Sequence, residues 1–263
     1  MQLQVLPIRL RLLLLALAVL AAAGAATAHG ERTQRGNLIV SLDGKFSPLA
    51  LPRDRPAPVA VQLRAGLRTS DASVLPRVTK VELGIPGQGV ITTRGLPTCG
   101  LRRIRDATAA KALEACGSAL IGTGEMVAQV KIPSQDPFEV HARLLAFNGR
   151  VGDHRAVMLH GISTQPPSAI VIPFVIRLRP GKFGTVLVAH VPENLGPWPR
   201  FAHFEMNLFR RYVEGGKRLS YLSASCPIPR SNTAGFFSFA KATFTLADGR
   251  RISTGIARSC RAR

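Results

Sequence analysis

Three side chains in the C-terminal half have the types and spacing of a zinc site. His203 and Glu205 are two residues apart, which places both on one face of a β-strand, and His190 lies in the strand expected before it. Two histidines and a carboxylate can hold zinc with an open position for water, as in metal-dependent hydrolases. The polar face of a strand explains the same His-x-Glu pattern without a metal. We therefore predict no metal site and no cofactor, and keep these three residues as weak candidates.

Other catalytic patterns are incomplete. A nucleophilic serine at a strand-to-helix turn requires Gly-x-Ser-x-Gly, and Gly161-Ile162-Ser163 lacks the second glycine. Glu125 and Glu205 are the only acids inside apolar strands, and a strand's polar face explains both without the paired carboxylates of a glycosidase. No catalytic residue is assigned, and the sequence favours a non-catalytic function.

The four cysteines indicate two disulfides in an exported chain, since thiols are not kept reduced outside the cytosol. Spacing favours Cys99–Cys116, which closes a short loop, and Cys226–Cys260, which brackets a C-terminal hairpin. Four cysteines permit three pairings, and the sequence leaves the other two open. No two cysteines have the close spacing of a structural zinc site.

Basic residues far outnumber acidic ones. The chain has 35 Lys and Arg against 15 Asp and Glu, a formal charge of +20. Such a field attracts polyanions, and we expect anionic cell-wall polymers or lipid headgroups as partners. The candidate anion-binding residues are Arg102, Arg103, Arg105, Arg210 and Arg211. Codon usage that favours arginine would give the same excess without selection for binding. One Trp and two Tyr offer few stacking platforms, so specific nucleic-acid binding is not expected.

The first 28 residues have the order of a secretory signal peptide. Arg9 and Arg11 precede the apolar run Leu12–Ala26, and Ala26-Thr27-Ala28 supplies a small-x-small cleavage site. The run is shorter than the roughly 20 residues of a membrane-spanning helix. We expect cleavage after Ala28, export by the general secretory route and no transmembrane segment in the mature chain. The expected location is extracellular or in the cell envelope, which excludes a cytosolic enzyme and a multi-span membrane protein.

Strand patterns dominate the mature chain. Residues 29–58 are predicted as a polar, proline-rich N-terminal extension with room for one strand, and residues 59–263 as the folded domain. Asn148-Gly149 predicts a hairpin turn. The predicted strands are Val59–Leu67, Val78–Ile85, Phe138–Phe147, Arg155–Ile162, Ala169–Leu178, Thr185–Val191, Phe201–Val213, Arg218–Ser225, Phe236–Ala247 and Arg250–Ala257.

One short helix interrupts the strands. Asp106 is predicted as its N-cap, Ala107–Cys116 as its alanine-rich body and Gly117 as its end. Many strands separated by turn signals are typical of an antiparallel β-sandwich, so we predict an all-β fold with one short helix. The sequence does not separate one large sandwich from two fused β-subdomains.

Several short motifs recur jointly in a group of known proteins. They are Gly95-Leu-Pro-Thr-Cys99, Ala115-Cys-Gly-Ser-Ala-Leu-Ile-Gly-Thr-Gly124, Leu144-Leu-Ala-Phe-Asn-Gly149, Ser220-Tyr-Leu-Ser-Ala-Ser-Cys-Pro227, Asp248-Gly249 and Ser259-Cys260. Over about Leu38 to Arg263 the chain resembles an uncharacterised family of secreted proteins with a cysteine framework from high-GC actinobacteria. The resemblance implies export, disulfides and a β-rich domain, and it carries no activity.

The favoured reading is an exported, disulfide-stabilised β-sandwich protein. It would associate with anionic polymers or surfaces of the cell envelope without catalysing a reaction. The alternative is a secreted metal-dependent hydrolase with a site assembled from distant strands around His190, His203 and Glu205. The oligomeric state is not predicted by any of these patterns.

Overall fold

A computed structural model describes residues 31–263, so the predicted signal peptide, residues 1–28, lies outside the described residues. Strands dominate the described chain, which confirms the predicted mostly-β class. The strands are, in chain order, β1 (Glu31–Arg35), β2 (Leu38–Ser47), β3 (Ala50–Leu51), β4 (Ala57–Pro58), β5 (Ala60–Thr69), β6 (Val78–Ile85), β7 (Gly89–Ile91), β8 (Leu120–Val130), β9 (Phe138–Val151), β10 (His154–Thr164), β11 (Pro167–Leu178), β12 (Thr185–His190), β13 (Pro199–Leu208), β14 (Arg211–Glu214), β15 (Lys217–Ser220), β16 (Leu222–Ala224), β17 (Ala234–Leu246) and β18 (Arg251–Ala262).

Thirteen of these strands form one sheet, in the order β1-β2-β5-β13-β8-β9-β10-β11-β12-β6-β17-β18-β3. All neighbours are antiparallel except β18 and β3, which are parallel, so the sheet is mixed. The other strands form two small sheets, β4-β16-β7 and β14-β15. The structure therefore shows one large curled sheet and not the two clearly separate sheets of the predicted sandwich.

Side chains join the two ends of the curled sheet. The Arg258 guanidinium on β18 donates through Nε to the Gly44 carbonyl on β2 and pairs with the neighbouring Asp43. The Phe46 ring of β2 lies 5.6 Å from the rings of Phe237 and Phe239 on β17. The sheet thus encloses an apolar inside and presents a convex outside.

Both faces of the sheet are covered around β9 and β10. Leu144 and Ala146 pack inside the curl, whereas Leu145 and Phe147 pack outside against the helical segment. Adjacent strand residues point to opposite faces, so the uninterrupted apolar run Leu144–Phe147 needs cover on both sides.

The helical segment consists of α1 (Leu101–Ile104) and α2 (Ala109–Cys116), followed by a 3-10 turn at Gly117–Ala119. A second 3-10 turn lies at Glu193–Leu195. The predicted N-cap was wrong by two residues: Thr108, not Asp106, caps α2, and its side chain accepts from the Lys111 N–H. The Ala107 N–H donates to Ile104, so Asp106 and Ala107 belong to the turn between the helices. None of the described helices is long and apolar enough to cross a membrane.

The hairpin predicted at Asn148-Gly149 lies four residues further on. Strand β9 continues to Val151, and the turn uses Gly152, which has a φ of 53°. Asn148 and Gly149 instead contact the segment before α1. The buried Asn148 amide donates to the Pro97 carbonyl at 2.9 Å, and Gly149 forms a parallel bridge with Cys99. A Cβ on Gly149 would lie 2.8 Å from the Cys99 carbonyl oxygen, so this close approach requires glycine.

The segment predicted as an extension contributes four strands, β1 to β4. Strand β2 pairs with β5 over its whole length, from Leu38 opposite Thr69 to Ser47 opposite Ala60. Strand β8, which contains Glu125, was expected without bounds, and the predicted strand Phe201–Val213 is divided into β13 and β14. These differences arise because pairing with distant strands, not local pattern alone, decides where a strand forms.

Candidate anion-binding face

The three candidate zinc ligands do not converge. His190 is exposed on β12, and His203 and Glu205 lie on β13, with four strands between β12 and β13 in the sheet. At about 4.8 Å per strand, this places the two sites roughly 24 Å apart along the sheet. In the part of the chain from residue 31 onwards, no group of three or more His, Cys, Asp or Glu side chains is arranged to hold a metal ion.

Glu205 is engaged in an ion pair. Arg64 Nε lies 2.7 Å from Glu205 Oε2, and the Gln62 amide donates to Glu205 Oε1. The hydrogen bond from Arg64 holds the pKa of the Glu205 carboxyl below its ordinary value. Glu125 is directly opposite Glu205 in register. A general acid needs a raised pKa, so the lowered pKa of Glu205 argues against that role for Glu205.

The structure joins Cys99 to Cys116 and Cys226 to Cys260, the pairs that spacing favours, and contains no free cysteine among the described residues. All four sulfurs are buried in the core clusters. The first bridge fixes the helical segment on the convex face of the sheet. The second ties the segment after β16 to β18. Two disulfides in a β-rich fold suggest an extracellular protein.

The arginines singled out by sequence clustering lie around the helical segment. Arg102 and Arg103 are exposed on α1, and Arg105 is exposed directly after it. Arg211 is exposed on β14, whereas Arg210 is half-buried and donates through an Nη to the Ser118 carbonyl. Four of the five therefore present their charge to solvent.

Strand register gathers a second set of five basic side chains, which we call the cationic face. It lies on the convex side of five neighbouring strands, β11, β12, β6, β17 and β18. One row across the strands runs from Lys80 on β6 through Thr245 on β17 to Arg251 on β18. A second row runs from Lys241 on β17 through Gly84 on β6 and Val186 on β12 to Arg177 on β11. Alternation places all of these residues on the outside, because Val81 and Leu83 of β6 line the inside. The cationic face comprises Lys80, Arg177, Arg179, Lys241 and Arg251.

A single buried carboxylate organises the cationic face. Glu82 is only 6% exposed, and it lies 3.2 Å from Lys80 Nζ, 3.2 Å from an Arg179 Nη and 3.1 Å from an Arg251 Nη. Burial opposes ionisation of Glu82, but the hydrogen bond and charge of Lys80, with the two arginines, hold the pKa of its carboxyl below the ordinary value. Among the outward positions of these five strands Glu82 is the one acid, and together with the five named bases it gives the cationic face a formal charge of +4.

A second group of strands is electrically balanced on its convex side. On the outward positions of β2, β5, β8, β9 and the part of β13 after its bulge, residues 203–208, four acids accompany four bases, and we call this set the balanced face. Its members are Asp43, Lys45, Arg64, Arg68, Glu125, Glu139, Arg143 and Glu205. One row across the strands carries five of them, Asp43, Arg64, Glu205, Glu125 and Arg143, mostly with opposite charges adjacent.

Sequence clustering missed the cationic face because its members come from four separate segments. A signal was present in the alternation of β6 and β11: Lys80 and Glu82, and Arg177 and Arg179, are each two residues apart and share a face. Only the strand order brings Lys241 and Arg251 beside them. No family model, curated protein or solved structure matches the chain.

Proposed function

We propose that this is an exported, non-catalytic binding protein that associates with anionic polymers or lipid headgroups of the cell envelope through its cationic face. Cleavage after Ala28, the secretory route and membership of the secreted cysteine-framework family that the chain resembles are parts of the same proposal. The observation that carries it is the uneven charge of the convex surface. The cationic face has a formal charge of +4, and the balanced face is neutral.

Uneven charge distinguishes selection for binding from codon usage. An excess of arginine produced only by codon usage would fall on all exposed strands alike. Here the four balanced-face bases are accompanied by acids, as with Arg64 and Glu205, while Lys80, Arg179 and Arg251 share a single buried acid. A surface with one sign of charge attracts an anionic partner over about 8 Å at physiological ionic strength.

Matched triple variants test the proposal. The first is Arg177→Gln/Lys182→Gln/Lys241→Gln. It removes two exposed charges from the cationic face and one, Lys182, from the adjoining loop, and it leaves the ion-pair partners of Glu82 unchanged. The second, Lys45→Gln/Arg68→Gln/Arg143→Gln, removes three exposed charges from the balanced face. Each variant changes the net charge by the same amount.

The assay is co-sedimentation of each purified variant with vesicles of phosphatidylglycerol and phosphatidylcholine, at physiological salt. We expect the cationic-face triple to lose at least about tenfold in apparent affinity, since each charge near an anionic surface contributes about 1 kcal/mol. The balanced-face triple should retain most of the binding. Equal losses from the two triples would contradict the proposal and would support total charge as the only cause.

The arginines around α1 provide a further arm of the same experiment. Arg102→Gln/Arg103→Gln/Arg105→Gln removes the cluster that the sequence singles out. A larger loss from this triple than from the cationic-face triple would move the anion-binding site to the helical segment. Nothing in the described residues favours the metal-dependent hydrolase, because its candidate ligands are on strands far apart.

A further inference from the structure

The inside of the curled sheet contains two apolar cavities of about 120 Å³ each. Cavity 1 is lined mainly by strands β6, β8, β11 and β13, with Val81, Met126, Phe174 and Phe204 among its walls. Cavity 2 lies towards the small β4-β16-β7 sheet and is lined by aliphatic and aromatic side chains with Tyr221. Leu83 borders both cavities. Each cavity is close in size to the roughly 150 Å³ apolar cavity that binds benzene in an engineered protein.

The inner wall keeps apolar surface accessible. On β6 the usual order of burial is reversed: Val81, Leu83 and Ile85, which face the inside, are only half-buried, while Glu82 on the outside is buried. Apolar atoms that line an empty space lose the dispersion contacts of a close-packed core. An apolar ligand in the cavity would restore those contacts and remove the lining from water.

The entrance to cavity 1 is basic. Cavity 1 shares the lining residues Val78, Val191, Leu195 and Pro199 with an adjoining polar pocket of about 660 Å³. Arg200 lines cavity 1, and Arg77 lines the polar pocket together with His190 and Glu193.

The two arginines at this entrance repel each other. Burial, and then the charge of Arg77, lower the pKa of the Arg200 guanidinium. Within residues 31–263, no acid lies within 4 Å of either guanidinium, Glu193 included. The Arg200 Nη donates to backbone carbonyls of Pro197 and Pro199. An anion between the two guanidinium groups would relieve their repulsion.

We propose that cavity 1 binds the alkyl tail of a single-chain anionic amphiphile, with its carboxylate or phosphate held at the entrance by Arg200 and Arg77. The volume selects a short or medium tail, and Leu83 is part of the apolar lining. This site is inside the sheet and does not depend on the cationic face, so the two proposals can fail separately. A free fatty acid and an acylated phosphate share the chemistry that the entrance recognises.

Calorimetric titration of the purified mature protein with octanoate, octanol and octyltrimethylammonium tests the ligand class. We expect a single site for octanoate and an affinity at least about tenfold lower for the cation, a difference of about 1.4 kcal/mol. Octyl phosphate in place of octanoate distinguishes a phosphate from a carboxylate headgroup. Absence of octanoate binding by folded protein, or equal affinity for anion and cation, would overturn the proposal.

Cavity-filling variants locate the tail. Ala128 lines cavity 1 and Ala224 lines cavity 2, and both are half-buried alanines on strands. Ala128→Phe should lower octanoate affinity by at least about tenfold, while Ala224→Phe should change it by less than about twofold. If far-UV circular dichroism shows that Ala128→Phe is unfolded, Ala128→Leu provides the same test. Unchanged octanoate affinity in a folded cavity-1 variant would contradict the assignment.

Charge variants locate the headgroup. Arg200→Gln should lower octanoate affinity by about tenfold, in the range of one lost charge-assisted hydrogen bond, and should leave octanol binding unchanged. Arg68→Gln, an exposed arginine on the balanced face, is the matched control and should affect neither ligand. Equal losses for octanoate and octanol in Arg200→Gln would show a packing role and refute the headgroup site.

Discussion

Removal of the Cys99–Cys116 disulfide by the double substitution Cys99→Ala/Cys116→Ala should lower the free energy of unfolding by about 3 kcal/mol. The bridge joins residues 17 positions apart, and the chain-entropy model assigns about 3 kcal/mol to a loop of this size. Hydrogen bonds hold the same segment without the bridge: the Cys99 N–H donates to the Asn148 carbonyl at 2.8 Å, and the Asn148 amide donates to Pro97. The fold should therefore persist, and the loss should arise because the unfolded chain becomes freer.

The second disulfide provides the matched comparison. Cys226 and Cys260 are 34 residues apart, twice the separation of the first pair. Doubling a loop adds about 0.6 kcal/mol to its closure entropy, so Cys226→Ala/Cys260→Ala should lose that much more. Both double variants remove two buried sulfurs, and the packing losses therefore largely cancel in the difference.

Urea denaturation of the oxidised protein and the two double variants measures both effects. Loss of a bridge should raise the m-value as well as lower the midpoint, because a more expanded unfolded chain exposes more surface. The melting temperature of Cys99→Ala/Cys116→Ala should fall by about 6–12 °C for a chain of this size. A larger loss from the shorter loop, or equal m-values in all three proteins, would refute the entropic explanation and assign the stabilisation to the folded state.

Three further perturbations test the fold. Burial holds the pKa of His160 below its ordinary value of 6.5. The contribution of His160 to the free energy of unfolding should therefore be fully present above about pH 7 and should be lost as the pH drops through 6.5 toward the lower folded-state pKa. Urea midpoints of His160→Leu, measured across this pH range, should lack this part of the decline. Arg258→Met removes the charged hydrogen bonds between the sheet ends and should cost about 2 kcal/mol in thermal unfolding, and an unchanged melting temperature would contradict that role. Gly149→Ala places a methyl group 2.8 Å from a backbone oxygen and should cost about 1–3 kcal/mol in urea, whereas Gly100→Ala, with open space around its Cβ, should be close to neutral.

Local patterns were sufficient for the strands that alternate clearly. In β13, Phe204 and Leu208 line the cavities, and Glu205 and Asn207 lie outside with Arg64 and Gln62, as the period of two predicts. Strand β6 has the predicted bounds, Val78–Ile85. In these strands one face is buried by the sheet itself, so the alternation in the sequence reports the structure directly.

Long-range pairing explains what local patterns could not show. The Asn148-Gly149 pair has the composition of a hairpin turn. In the structure Gly149 instead forms a bridge with Cys99, which is 50 residues away in the sequence. The curl of the sheet depends on strand order and on contacts such as Arg258 with Gly44, separated by 214 residues. A sandwich and a curled sheet use the same alternating strands, so periodicity does not separate them.

The candidate anion-binding site was also predicted only in the part that local sequence shows. Clustering in sequence found exposed arginines such as Arg102 and Arg103, but clustering in space depends on register. Lys80 and Arg251 are neighbours through β17, although 171 positions separate them, and the buried Glu82 between them explains why both keep one orientation. The cavities inside the sheet carry no local signal, because half-buried and fully buried apolar residues look alike in a sequence.

The salt dependence of binding to a linear polyanion tests the central claim most directly. Dextran sulfate can be titrated into the native protein, the cationic-face triple and the balanced-face triple at several salt concentrations. Each basic residue that neutralises an anionic group contributes about one counterion to the slope of log affinity against log salt. We predict that the slope falls by about three for Arg177→Gln/Lys182→Gln/Lys241→Gln and is unchanged for Lys45→Gln/Arg68→Gln/Arg143→Gln. The same decrease in both triples, or no decrease in either, would contradict a cationic binding face.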